Sequence, residues 1–171
     1  MNELTEILEL PAISRIRRNH GLEHATLHVL SSRFPRRAMA GHSDVGGFWL
    51  IGDLTTEEIQ SAVELALTRL RNGERELAIH PNCGTNLATA GVLAGGAAWL
   101  ALLGTRRIKD QWERLPMAVA MAMLGVLVSQ PLGLRLQAQV TTSGNPGNLE
   151  VIEIYRAQQG KLPAHRVVTQ G

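Results

Sequence analysis

Two stretches without a single formal charge constrain this chain more than any other feature. From Leu77 to Thr105 there is no Asp, Glu, Lys or Arg, and Ala88–Gly104 reads ATAGVLAGGAAWLALLG. After the connector RRIKDQWER, charge vanishes again from Leu115 to Leu134. A helix needs about 20 predominantly apolar residues to cross the hydrocarbon core of a bilayer. Both stretches approach that length, with Trp99 and Trp112 near their ends, where aromatic rings favour the interface. The competing reading is a pair of buried helices in a soluble core, since Ala and Gly make the first stretch only moderately hydrophobic. The short charged connector favours an antiparallel membrane hairpin. Gly91 and Gly95 form a small-xxx-small face expected to let the two helices approach closely.

Orientation draws two arguments. Arg106, Arg107, Lys109 and Arg114 in the connector place that loop in the cytoplasm by the positive-inside rule. Against this, MNELTEILELP has no basic stretch followed by an apolar core, so no signal peptide is expected to export an arginine-rich N-terminal region. One cysteine, Cys83, excludes an intramolecular disulfide and suits a reducing compartment. Both termini are therefore expected on the cytoplasmic side of the membrane.

The remaining sequence carries signals of mixed secondary structure. Ala12 to about Phe34 reads as one helix ended by Pro35, and AMAGHSDVGGFWLIGDL as two short strands around a Gly-rich turn. Thr55 and Glu58 form a capping box ahead of Ile59, Val63, Ala66, Leu67 and Leu70, which recur at helical spacing, and Asn72-Gly73 stops that helix. ELAIHP reads as a strand. LRLQAQVTT and NLEVIEIYR alternate about the turn SGNPGN and predict a β-hairpin. The expected fold is α+β: a small mixed domain interrupted by a two-helix transmembrane hairpin. Residues 1–84 form its first part, 85–134 the hairpin, 135–158 a completing β-hairpin, and 159–171 a frayed tail.

Against this frame stands HGLEHATLHVL, residues 20–30, which holds three of the six histidines. At about 3.6 residues per turn His20, His24 and His28 share one face, bordered by Glu23. His20–His24 is H-x-x-E-H, an i, i+4 imidazole pair able to grip one metal ion with a carboxylate alongside. In the inverted zinc-protease motif of the same order the Glu is a general base. The second cluster is HPNCGT, residues 80–85, where Pro81 and Gly84 force a tight turn that can aim His80 and Cys83 at one point. His20, His24, His80 and Cys83 make a complete tetrahedral set for zinc. The plain alternative is a packed His stripe, a capping His80 and a small buried Cys83. His28 is read as a supporting or core histidine, His42 beside Asp44 as an outside candidate, and His165 as an idle tail residue.

The pairing of HGLEHAT with HPNCGTN ahead of a membrane hairpin resembles a bacterial domain-of-unknown-function family, number 6391 of that series. More distantly it resembles family 1385, with HGAEHKT and HPRCGT. The likeness runs from about Arg15 to the final strands. It implies a bacterial integral membrane protein in which His20, Glu23, His24, His80 and Cys83 form one site. Asn82 stands where the distant family has Arg, so no role of that basic residue carries over.

Three functions compete. One is a membrane protein with a structural or regulatory zinc site. Another is a membrane zinc hydrolase with Glu23 as general base. The third is a metal-free adaptor or assembly subunit. Ligand count separates the first two, because a fourth protein donor leaves no room for water. A net charge of +2 and 4% aromatic residues give no support to nucleic-acid binding. The lipid bilayer is the expected partner, with a membrane protein or a second copy as further options. Arg15-Ile16-Arg17-Arg18 and Arg33-Phe34-Pro35-Arg36-Arg37 suit anionic headgroups.

Overall fold

A computed structural model describes residues 3–171. Two compact units emerge: one comprises the chain through His80 together with Ala138–Gly171, the other Pro81–Gln137.

In the first unit, α1 (Glu3–Leu8) leads into α2 (Pro11–Arg33). Pro11 occupies the first turn of α2, where its missing N–H costs nothing. The helix closes as the Phe34 N–H donates to Leu30 O, and Pro35 prevents further winding. Strands β1 (Ala40–Asp44) and β2 (Gly47–Ile51) form a hairpin, followed by α3 (Thr56–Arg71). Both halves of the Thr55/Glu58 capping box are present. The chain ends in β3 (Glu150–Gln159) and β4 (Leu162–Gln170), giving an antiparallel sheet of order β1-β2-β4-β3. Its inward residues Phe48, Leu50 and Val167 meet Leu22, Ala25 and Leu30 of α2 and Ile59, Ala62 and Val63 of α3 in one fully enclosed core. The fold class is α+β.

Three expectations are corrected here. ELAIHP is not a strand: Arg75–Ala78 forms a single 3-10 turn. The backbone carbonyls of Ala78 and Ile79 face the imidazoles of α2 instead of a neighbouring strand. LRLQAQVTT is not a strand either. The helix preceding it continues through Leu136 and ends in a π-turn over Gln137–Thr141. The carbonyls of Gln139 and Thr142 accept from Arg17, so side chains rather than a β-ladder satisfy this backbone.

Residues 159–171 are not a frayed tail. Leu162–Gln170 is β4, one of the two inner strands, paired on both sides, and joins β3 through Gly160-Lys161. Gly160, at φ +61°, supplies the left-handed position that a two-residue hairpin loop requires. The strand hid in the sequence because Pro163 demotes such a run. Moreover, Ala164, His165, Arg166 and Val167 are all buried, so polar and apolar residues do not alternate.

The second unit holds α4 (Gly84–Leu102) and α5 (Ile108–Leu136). Both are long and apolar enough to cross a membrane. Gly91 and Gly95 do not mediate their approach, since a Cβ at either would meet nothing within 4 Å. The close contact lies on α5: a Cβ at Gly125 would fall 2.6 Å from Leu93 O, and one at Gly133 2.5 Å from the Asn86 side chain. Asn86 also accepts from the buried Gln137 amide at 2.6 Å and donates to Pro81 O at 2.7 Å, which ties the two helix ends together.

Candidate metal centre

The imidazoles on α2 are held by backbone carbonyls. His24 Nδ1 lies 2.8 Å from Ala78 O, and His20 Nδ1 lies 3.0 Å from Thr141 O. A carbonyl can only accept, so Nδ1 carries the proton in both rings and the lone pair sits on Nε2. Such an outer hydrogen bond commonly orients metal-bound histidines and raises their basicity. The two rings meet edge to face, with centroids 4.4 Å apart.

Local sequence explains how Thr141 reaches His20. Gly21 leaves room for the strand of chain beyond Thr141, because a Cβ there would fall 2.1 Å from Ser143 O. The Ser143 N–H donates to Arg17 O, fixing that passage. The glycine in HGLEH is thus a packing requirement.

Cys83 is buried and is the N-cap of α4, where its sulfur accepts from the Thr85 N–H at 3.4 Å. Ligand atoms of His20, His24 and Cys83 all lie within 4.8 Å of one another. Zinc bonds of about 2.0–2.3 Å set donors roughly 4 Å apart, a spacing that falls inside this limit. These three side chains are close enough to hold a metal ion.

His80 stands beside the trio, its ring centroid 5.7 Å from His24 and 4.9 Å from His28. Burial first, then the neighbouring His28 and His24, push its pKa down to about 4, so His80 is neutral at physiological pH. His28 donates from Nε2 to Ile79 O at 2.8 Å, which fixes its tautomer and pins the turn before Pro81.

Glu23 is 3% exposed and points towards β1. Its carboxylate accepts from Ser43 Oγ, and Gly41 makes room for it, since a Cβ there would fall 2.6 Å from Oε1. Sequence reasoning missed the Ala78 and Thr141 carbonyls and Ser43, because partners supplied by distant backbone leave no mark in composition. His42 stacks on Trp49 across the β1–β2 hairpin and is not among the three grouped donors. His165 is fully buried in β4, with Nε2 3.2 Å from Thr56 Oγ1. Its pKa is lowered by burial and then by Arg156.

These features define a class: an α+β domain whose chain is interrupted by an apolar helical hairpin and which gathers two histidines and a cysteine. The chain belongs to the family described as Domain of unknown function (DUF6391), which it matches over residues 15–154. It is 37% identical over 167 residues to an uncharacterized protein of Picosynechococcus sp. (strain PCC 7002), covering 89% of this chain and 78% of that protein. No solved structure matches it.

Proposed function

We propose that this is an integral membrane protein of the bacterial inner membrane whose cytoplasmic domain holds a zinc ion in a structural or regulatory site. The observation carrying the metal is the pair of carbonyl-held imidazoles that each bring a ring nitrogen together with a thiol in one small volume. Packing alone would not require three donor atoms to converge. His20, His24 and Cys83 would bind the ion, and neutral His80 is the nearest candidate for a fourth position. A closed shell would tie α2 to the start of the hairpin, so that binding energy becomes folding energy.

Membrane insertion is supported by exposure. Leu87 is 77% exposed and Val92 73%, and Trp99, Trp112, Met123 and Leu127 are also open. The core helix of a soluble protein would bury such side chains. A bilayer would cover them.

One observation favours a second reading, a zinc-dependent hydrolase. Three convergent donors leave a coordination position for water, and Glu23 lies on the same helix with its carboxylate held by Ser43. Glu23 would then serve as the proton acceptor, and the metal would supply a water of lowered pKa.

Cobalt substitution tests the site. A Co(II)-loaded protein should show a thiolate-to-metal charge-transfer band that Cys83→Ser abolishes. A spectrum unchanged by Cys83→Ser would remove the cysteine from the shell. Glu23→Gln should leave metal content near normal under both readings. It should abolish a hydrolytic activity only under the second.

A further inference from the structure

His28 is the member of the α2 histidine stripe that the candidate centre does not use: His20, His24 and Cys83 come together without it. Its hydrogen bond to Ile79 O accounts for one of its two ring nitrogens. A glutamine amide in the same place could make that bond equally well. What distinguishes imidazole is the second nitrogen. Because Nε2 donates to a carbonyl, Nδ1 holds the lone pair, and it accepts no hydrogen bond from the described residues.

The rings of four histidines form an unbroken row within the first unit, whose N-terminal segment runs through His80. Centroids stand 4.4 Å apart from His20 to His24, 5.7 Å from His24 to His80, and 4.9 Å from His80 to His28. Zinc–nitrogen bonds of about 2.0–2.1 Å, added to the distance from ring centre to ring nitrogen, let two rings share an ion at centroid separations up to about 6 Å. Each neighbouring pair in the row lies inside that reach. Burial changes along the row: His24 is 2% exposed, whereas His80 and His28 are half-buried. The outer pair is open to water and the inner ring is not. His20, at the other end, is half-buried too and is already one of the three donors. A buried metal centre needs an entry path, and this row offers one made of ligands.

We infer that His28 and His80 form a loading station, a two-imidazole site that takes a divalent zinc-class ion from solution and passes it to His24; the inference rests on the zinc site proposed for this centre. The ion moves ligand by ligand, shared first by His28 and His80 and then by His80 and His24. Such a route lets the buried centre fill and empty without unfolding, which a regulatory site requires and a structural one does not.

The test uses the full chain in neutral detergent, with Co(II) as the probe and its absorption followed in stopped flow. Loading is started by mixing the metal-free chain with Co(II), and removal by mixing the loaded chain with excess chelator. His28→Gln keeps a donor for Ile79 O and removes the Nδ1 lone pair. It should slow loading and removal by the same factor, about tenfold, which corresponds to roughly 1.4 kcal/mol of lost stabilisation in transit. Equal slowing leaves the affinity for Co(II) unchanged, because a residue on the path alters the barrier and not the end states. His42→Gln, outside the row, should leave both rates as they are. Unchanged rates in His28→Gln overturn the inference and leave the His20 end as the entry. A fall in affinity overturns it too, since His28 would then be a ligand of the resting centre or a support of its fold. The zinc reading is scored separately: a native chain that binds no Co(II) defeats that reading, whereas a native chain that binds it with kinetics indifferent to His28 defeats only this one.

Discussion

The two units resolve the same problem, where to put apolar side chains, in opposite ways. In the first unit Leu22, Leu30, Phe48, Ile59 and Val63 are wholly enclosed, and charged groups such as Arg37 and Glu58 occupy the surface. In the second, Val92, Trp99, Met123 and Val128 lie open, and α5 approaches α4 most tightly at Gly125 and Gly133. A chain folding in water gains about 25 cal/mol for each Å² of apolar surface it buries. The hairpin leaves that gain largely uncollected. The difference is the one that the proposed insertion of the hairpin in lipid requires, with water as the solvent of the first unit and lipid as that of the second.

The largest expected effect breaks the aqueous half. Phe48→Ala empties the centre of the core and should cost about 3–5 kcal/mol, read as loss of cooperative unfolding of the α+β domain. Val92→Asp sharpens the contrast. On a water-exposed helix it should change stability little. At the middle of a membrane-spanning helix it should cost about 2.5–3.5 kcal/mol, measurable as reduced membrane insertion in a glycosylation-mapping assay.

Next comes a pair of glycine replacements within the hairpin. Gly125→Ala drives a methyl group into the Leu93 backbone and should cost on the order of 1–3 kcal/mol of overpacking. Gly91→Ala meets open space and should stabilise its helix by up to about 1 kcal/mol. Thermal unfolding in detergent should therefore move in opposite directions for the two variants. Equal shifts would mean that the helices do not meet at Gly125.

The smallest effect lies on the sheet. Arg166 clasps Asp44 through two hydrogen bonds of 2.8 and 2.7 Å and lies over Trp49. Its hydrogen bond, chiefly, lowers the Asp44 pKa. A carboxyl whose folded pKa lies below its unfolded value of about 3.9 stabilises the fold above that pH. The contribution is lost as pH falls through the folded pKa. Asp44→Asn should thus be slightly less stable than the native chain at neutral pH, and the gap should close in acid. A gap that persists at low pH would assign the effect to something other than ionisation. The carboxylate is half-exposed, so solvent screening keeps the effect small.

Much of this contrast was legible in the sequence where the signal is local. The capping box at Thr55–Glu58, the stop at Asn72-Gly73 and the charge-free runs each depend on neighbours within a few residues. The β4 strand was not legible, because its residues are buried by partners on β2 and β3 rather than by their own alternation. The helical continuation to Thr141 was missed for a related reason: its backbone is satisfied in part by Arg17, more than 120 positions away. In the candidate site, the histidine spacing and Cys83 were readable. The carbonyls that fix the ring tautomers, and Ser43 against Glu23, depend on tertiary placement.

Comparison of metal content between gently purified native protein and His24→Ala bears most directly on the central claim, that the histidine face of α2 exists to hold an ion. Elemental analysis of the native chain should find a single zinc-class ion per molecule. The variant should lose it while keeping its helical circular dichroism, since His24 contributes one donor of a convergent set. Native protein that carries no metal, or a His24→Ala variant that carries as much as the native chain, would contradict the account and return the imidazole stripe to packing alone.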